Sequence, residues 1–120
     1  MREILAIAKA LSDESRLRAL ISVKDGELCL CQIIQVLGLS PATVSKHMNT
    51  LEQARLVERT RRGKWRYYKL ANGSGSRAVT QALAWVLDGL PNDPKLTEDA
   101  KRIRKVRRQD LEELSACYRS

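Results

Sequence analysis

The spacing of apolar residues along the chain predicts six helices and one hairpin. Apolar positions recur every three or four residues through most of the chain, which is typical of helices with one buried face. After Ala54 this spacing gives way to alternation as far as Leu70, which indicates two strands joined by a turn at 62–64. The predicted helices cover 3–11, 14–23, about 30–37, 41–54, 76–90 and the segment from Thr97 to the C-terminus.

The third and fourth helices have the clearest boundary signals. Gly38 suits the position that follows a helix, and Ser40 is a good N-cap. Pro41 then occupies the first helical position, where its missing N–H costs nothing. A short helix, a turn that contains glycine and a second, capped helix make a helix-turn-helix. With the hairpin directly after it, the sequence predicts a winged helix-turn-helix in one α+β, mostly helical domain.

The outer parts of the chain carry more apolar surface than so small a core can cover. The 120 residues fit a single domain, 1–120, with the helix-turn-helix at about 29–54 and the wing at about 56–70. We therefore expect the flanking helices, at about 2–11 and 76–118, to pack across a two-fold axis as dimerisation helices of a homodimer.

The charge of the chain points to a polyanionic partner. Lys and Arg number 22 against 14 Asp and Glu, so the formal net charge is +8. Most of the excess lies in 55–69, where Glu58 is the one acidic residue among many basic ones. A basic hairpin beside a recognition helix suits contact with phosphates or the minor groove. A charged edge strand that prevents aggregation is the alternative interpretation.

Double-stranded operator DNA is the predicted partner. The side chains on the polar face of the 41–54 helix are short donors and acceptors or cations, which can reach base edges and phosphates. His47 is the only histidine, which makes a metal-ligand role improbable, and a hydrogen bond on the helix surface is its alternative to a DNA contact. The predicted DNA-binding residues are Ala42, Thr43, Ser45, Lys46, His47, Asn49, Arg61, Arg62, Lys64 and Arg66.

Several classes of protein are excluded by patterns that the sequence lacks. No apolar run approaches the ~20 residues that cross a bilayer, and 1–14 does not resemble a secretory signal. We therefore expect a cytoplasmic protein with no membrane partner. The common catalytic and nucleotide-binding motifs are absent, so we expect neither an enzyme nor an organic cofactor.

The cysteines are the unusual chemical feature of the sequence. Cys29 and Cys31 stand two residues apart at the head of the third helix. On a regular helix two such residues lie about 200° apart, so joint binding of one soft ion would require the helix start to unwind. Such unwinding would displace the recognition helix. Two small buried hydrophobes are the alternative interpretation. Two or three sulfur ligands suit trivalent arsenic or antimony better than structural zinc, which takes four ligands.

Four segments together resemble the arsenic-repressor branch of the ArsR/SmtB family of bacterial winged-helix metal sensors. They are LSDESRLR at 11–18, ELCLCQ at 27–32, LSPATVSKHMNTL at 39–51 and GKWRYYKL at 63–70. The resemblance implies a homodimeric transcriptional repressor that leaves operator DNA when trivalent arsenic or antimony binds as inducer. It implies Cys29 and Cys31 as the inducer ligands, and the 41–54 helix and the hairpin as the DNA-binding elements.

The chain departs from the family pattern at Ile34, where a third cysteine often stands. Cys117 is the remaining cysteine, and it is either a third metal ligand or a packing residue at the dimer interface. An exogenous thiol is another source of a third sulfur. Two other functions stay open on these residues. One is a repressor that senses thiol oxidation or another soft metal ion through the same cysteines, and the other is a thiol-redox enzyme.

Overall fold

The computed structural model of the protein describes residues 1–72, 75–90 and 92–116. Helices form most of this part, and three short antiparallel strands form its sheet, which confirms the predicted fold class. None of the described helices is long and apolar enough to cross a membrane. The elements are α1 (Arg2–Leu11), α2 (Glu14–Ser22), β1 (Leu28–Cys29), α3 (Leu30–Leu37), α4 (Pro41–Gln53), β2 (Val57–Arg62), β3 (Trp65–Leu70), α5 (Arg77–Gly89), α6 (Pro94–Arg107) and α7 (Leu111–Ala116).

The helix-turn-helix has the boundaries that its signals predict. Gly38 follows α3 with φ of 67°, a left-handed conformation that glycine adopts without steric cost. Ser40 is the N-cap of α4, and its Oγ accepts the backbone N–H of Thr43 at 3.2 Å. Pro41 is the first residue of α4. The turn thus ends one helix and starts the next within three residues.

The wing is a hairpin to which a short third strand is added. β2 and β3 pair antiparallel, from Val57 opposite Leu70 to Arg62 opposite Trp65. β1 pairs with the other side of β3, which gives the strand order β1-β3-β2. β1 was not predicted, because a strand of two residues is too short to show alternation. Its effect is to tie the start of α3 to the wing.

The prediction of one last helix from Thr97 to the C-terminus is wrong. The helix begins at Pro94, and its N-cap is Asp93, whose carboxylate accepts the backbone N–H of Lys95 at 2.9 Å. Proline breaks the interior of a helix but is favoured at its first position, and Pro94 therefore starts α6. A break at 108–110 then separates α6 from α7. We call α6 and α7 together the C-terminal arm.

The main core contains the aliphatic residues that a chain without phenylalanine must use. It joins the inner faces of α1 to α5 with the start of β2. Tyr68 of β3 is its one fully buried aromatic residue among the described residues, and within that part its hydroxyl has no hydrogen-bond partner.

A second, smaller cluster lies between the head of α3 and the C-terminal arm. Its buried members are Cys29, Cys31 and Val36 from the helix-turn-helix region and Val106 and Leu114 from the arm. The arm is fixed to α2 by Asp99, whose carboxylate accepts from Nε and Nη2 of Arg18 at 2.8 and 2.9 Å. The arm therefore packs on the helix-turn-helix of its own chain.

Candidate DNA interface and thiol site

Five of the predicted DNA contacts lie on one side of α4. Val44, Met48 and Leu51 are buried and hold the opposite side of α4 in the core. The polar side therefore stays at the surface, where DNA can reach it. Four of its predicted contacts are exposed and Ser45 is half-buried; together they are Ala42, Thr43, Ser45, Lys46 and Asn49.

His47 lies apart from the other predicted contacts of α4. It is half-buried, and its Nδ1 lies 3.4 Å from Nη1 of Arg16 in α2. The same guanidinium donates from Nε to the carbonyl of Ala10 at 3.1 Å, so it connects the end of α1 and the start of α2 with the middle of α4. The structure thus places His47 in the helix-surface contact that the sequence left as an alternative. Its contact with DNA stays a prediction.

Two of the predicted wing contacts already pair with carboxylates of the same chain. Arg62 forms an ion pair with Glu27. Lys64 pairs with Glu112 of α7, and the two charged atoms are 2.8 Å apart. Each pair is exposed to solvent, where ion pairs contribute little. A phosphate group can therefore replace either carboxylate at small cost.

The other two predicted wing contacts are cations without such a partner. Arg61 stands directly opposite Arg66 in the pairing of β2 with β3. Neither side chain has an ion pair within the described part of the chain, and like charges opposite each other in a sheet repel. An anion near the wing relieves this repulsion. The wing is therefore an electrostatic surface suited to DNA phosphates.

The two neighbouring cysteines bring their sulfur atoms together. Cys29 ends β1 with extended backbone angles and serves as the N-cap of α3, whereas Cys31 lies inside the first turn of α3. Because only one of them is helical, their Sγ atoms are 3.3 Å apart. The predicted unwinding of the helix is not needed to bring the two sulfurs together. Gln32 fixes this arrangement, since its Oε1 accepts the backbone N–H of Cys29 at 2.8 Å.

The hydrogen bond between the two thiols separates their acidities. The Cys31 thiol donates to Sγ of Cys29, which lowers the pKa of Cys29, and backbone N–H groups, that of Arg66 among them, add to the effect. The same bond raises the pKa of Cys31, as do its burial and the negative charge of Cys29. These opposite shifts favour a state in which the pair shares one proton, as a dyad does, with the negative charge on Cys29. Thiolate sulfur is the form that binds soft metal ions.

A cavity of about 550 Å³ lies beside the sulfur atoms. It places the cysteines next to the first turn of α4 and the tip of the wing, the two elements that the sequence assigns to DNA. We call it the thiol cavity. It is lined by Cys29, Leu30, Cys31, Ile34, Pro41, Ala42, Ser45, Lys64, Trp65 and Arg66.

The C-terminal arm contributes to this site in a way that the sequence analysis missed. Val106 and Leu114 pack against the cysteines, and Gln32 donates from Nε2 to the carbonyl of Val106 at 3.3 Å. One signal was available: a glutamine three residues after a helix cap is typical of a side chain that turns back to the cap. That signal predicts the contact of Gln32 with Cys29 but not the contact with the arm.

The described residues contain no group of three or more cysteine, histidine or acidic side chains that could hold a metal ion. Cys117, the third predicted ligand, lies outside the described residues. Within them the candidate inducer site therefore consists of Cys29 and Cys31.

Three features together define a winged helix-turn-helix regulator. They are the capped helix α4 after a glycine turn, the basic hairpin that follows α4, and the thiol pair at the head of α3. The chain belongs to the arsR family of bacterial regulatory proteins, and the sequence model of this family matches residues 13–59. Because this is a family of transcriptional regulators, the chain is a regulator and not an enzyme.

Two relatives and one solved structure are similar to most of the chain. An arsenic resistance transcriptional regulator of Pseudomonas putida is 34% identical over 110 residues, which are 88% of this chain and 84% of that protein. A second such regulator of the same organism is 30% identical over 112 residues, 92% of this chain and 95% of its own. A homodimeric winged helix-turn-helix DNA-binding domain from Mycobacterium bovis, described as a possible ArsR-family transcriptional regulator, has a TM-score of 0.61 and 27% identity. The match covers 74% of this chain and 81% of that one.

Proposed function

We propose that the protein is a homodimeric repressor that binds operator DNA and releases it when trivalent arsenic or antimony binds Cys29 and Cys31. The observation that carries this proposal is the 3.3 Å separation of the two sulfur atoms in a cavity that also touches α4 and the wing. Operator DNA as the partner places its action in the cytoplasm. The whole chain acts as one domain, with α3 and α4 as the helix-turn-helix and β2 and β3 as the wing.

DNA binding by α4 and the wing is supported by shape and by charge. The exposed side of α4 carries small polar side chains that suit base edges, and the wing carries the cations that suit phosphates. In a homodimer the two recognition helices meet half-sites about one helical turn apart, or a multiple of that spacing. A near-palindromic operator matches this symmetry.

The dimer is supported by apolar side chains that the single chain leaves exposed. Ile4 and Leu5 of α1 are each 59% exposed, and Trp85 of α5 is 70% exposed. α1 and α5 contact each other, so these side chains belong to neighbouring elements. The related domain of Mycobacterium bovis is a homodimer. Val106 and Leu114 of the C-terminal arm are buried within their own chain, so we propose α1 and α5 as the main dimerisation helices. A part of the arm in the dimer stays a prediction.

Release of DNA requires that the inducer binds one shape of the protein more tightly than another. The inducer ligands occupy the junction of β1 and α3, which contacts both the recognition helix and the wing. A soft ion that draws the two sulfur atoms into its own geometry shifts this junction. Coupling of ~1–3 kcal/mol between two such sites is typical of allosteric proteins.

Titration of reduced, metal-free protein with arsenite tests the inducer site without knowledge of the operator. Sulfur-to-arsenic absorption in the near ultraviolet should saturate for the wild type and disappear for Cys29→Ser or Cys31→Ser. Both variants should still bind operator DNA but no longer leave it. Loss of DNA affinity in these variants before any arsenite is added would make the pair structural. Cys117→Ser in the same titration tests the third ligand.

Thiol oxidation is the second candidate signal, and the geometry of the pair favours it too. Cys29 has a lowered pKa and lies within 3.3 Å of the Cys31 sulfur, so peroxide could oxidise Cys29 and Cys31 could then close a disulfide. Release of DNA by peroxide, together with indifference to arsenite, would favour this function over metalloid sensing. The same measurement of DNA release, with another soft metal ion in place of arsenite, shows whether that ion acts through the pair.

A further inference from the structure

The thiol cavity has chemical features that the two cysteines alone do not use. Its volume of about 550 Å³ lies within the ~300–1,000 Å³ that is usual for small-molecule sites. Its wall is apolar at Leu30 and Ile34, aromatic at Trp65, and cationic at Lys64 and Arg66. A wall of this kind fits a small organic anion, whereas a bare ion would contact only the sulfurs and leave the rest of the wall unused.

Among the described residues, Arg66 is the cation of this wall that has no charged partner. It is half-buried, and within the described part of the chain its guanidinium has no ion pair. It precedes Tyr67, the residue of β3 that pairs with Cys29 in the sheet. Arg66 thus stands beside a ligand residue, and within the described residues its charge is unpaired. A carboxylate is the group that pairs best with such a guanidinium.

Trivalent arsenic forms three bonds, and the described residues offer two sulfurs. Building on the proposed function, we propose that an anionic low-molecular-weight thiol binds in the thiol cavity together with the inducer. Its sulfur is the third ligand of the arsenic, and its carboxylate pairs with Arg66 and Lys64. In this step arsenous acid exchanges three hydroxyl groups for three sulfurs. Cys31 and the small thiol each release one proton to a departing hydroxyl group, and the hydroxyl group that the Cys29 thiolate replaces takes its proton from solvent. Three waters leave, and nothing is oxidised or reduced.

This co-ligand also bears on the release of DNA. Arg66 and Lys64 are predicted phosphate contacts, and the same cavity is lined by Ala42 and Ser45 of the recognition helix. A cation that pairs with the carboxylate of the thiol is no longer available to a phosphate. The complex with arsenic and thiol therefore opposes DNA binding by charge as well as by shape.

The test compares thiols of different charge as partners of arsenite. Reduced, metal-free protein in a phosphine reductant is titrated with arsenite alone, with glutathione, or with 2-mercaptoethanol, which carries no carboxylate. Native mass spectrometry should show one arsenic and one glutathione on each chain. The apparent Kd for arsenite should be about tenfold lower with glutathione than with 2-mercaptoethanol, the factor that one hydrogen bond to a charged group contributes.

Variants of β3 show whether the carboxylate contact is responsible. Arg66→Gln should remove the preference for glutathione, and Arg66→Lys should retain much of it. Lys69→Gln is the matched control, since Lys69 lies on the same strand but does not line the cavity. Cys117→Ser should behave as the wild type does.

The outcomes separate this inference from the proposed function. Arsenite binding that glutathione does not strengthen, with no glutathione in the complex, would overturn the inference and leave the metalloid sensor intact. A preference for glutathione that persists in Arg66→Gln would overturn the assigned contact. Failure of the wild type to bind arsenite in every reductant would overturn the proposed function itself.

Discussion

At the scale of single residues, the two cysteines show how much depends on one backbone boundary. Their spacing of two residues was visible in the sequence, and so was their place at the head of α3. Their convergence was not visible, because it depends on Cys29 being extended at the end of β1 while Cys31 is already helical. A strand of two residues leaves no periodic signal. The sequence therefore predicts which residues form the site but not their geometry.

Tyr68 provides a prediction at the same scale. Its ring is fully buried, and its hydroxyl has no hydrogen-bond partner among the described residues. Since a buried polar group without a partner costs free energy, Tyr68→Phe should leave the free energy of unfolding unchanged or raise it by about 1 kcal/mol. Urea denaturation at a fixed protein concentration measures this. Tyr68→Leu, which removes the ring, should lose stability through the cavity it leaves. A clear loss in Tyr68→Phe would mean that the hydroxyl has a partner.

At the scale of elements, boundary signals worked where the signal lies within a few residues. Ser40 and Pro41 gave the start of α4, and Gly38 gave the end of α3. The same reasoning placed the start of α6 at Thr97 instead of Pro94, because a proline after a helix also fits a helix end. The packing of the C-terminal arm on α3 could not be predicted, since it joins residues far apart in the sequence.

The end of α4 leads to a second prediction. Arg55 follows the helix with φ of 64°, where glycine is the usual residue, and the Leu56 N–H closes the turn on the carbonyl of Leu51 at 3.1 Å. Arg55→Gly should therefore raise the free energy of unfolding, by up to about 1 kcal/mol. Arg55→Val, with a branched side chain in the same conformation, should lower it by more than that. Thermal or urea unfolding measures the stability of both variants relative to the wild type. A less stable Arg55→Gly or a more stable Arg55→Val would contradict the left-handed conformation of Arg55 in this turn.

The attachment of α6 to α2 leads to a third prediction. The Asp99 side chain is only 3% exposed, and Arg18 donates two hydrogen bonds to it. Asp99→Asn keeps the shape but leaves the guanidinium buried without a counter-charge, so it should cost about 3–5 kcal/mol. Urea unfolding measures the loss. The double variant Arg18→Met with Asp99→Leu should recover most of it, and a single variant that loses less than about 1 kcal/mol would show that the pair is dispensable.

At the scale of the whole molecule, the net charge and its concentration in the wing were visible in the sequence and remain the best guide to the partner. The structure adds which of these cations form ion pairs within the chain. Arg62 and Lys64 are paired within the chain, whereas Arg61 and Arg66 oppose each other without ion pairs in the described part. The sequence could not distinguish the paired cations from the others, because a partner such as Glu112 lies far from the wing along the chain.

DNA binding should therefore weaken steeply with salt, because phosphate contacts release counterions. Replacing Arg61, Arg62 and Lys64 by alanine should reduce the slope of log K against log salt by about one unit for each phosphate that the variant no longer neutralises. Affinity for operator and for random DNA should fall together. Ser45→Ala should instead weaken operator binding more than random binding. Fluorescence anisotropy at several salt concentrations measures both, and an unchanged slope in the triple variant would contradict the placement of the wing on DNA.

The position of the C-terminal arm has a consequence for the newly made protein. Val106 and Leu114 cover the cysteines, yet they leave the ribosome well after Cys29 and Cys31 do. At about 5–20 residues per second, several seconds pass between synthesis of Cys31 and synthesis of Leu114. During that interval the thiols lack the cover that the finished chain gives them. A nascent chain that has not yet produced α7 is thus more open to alkylation and oxidation than a chain in which the C-terminal arm has packed over the cysteines.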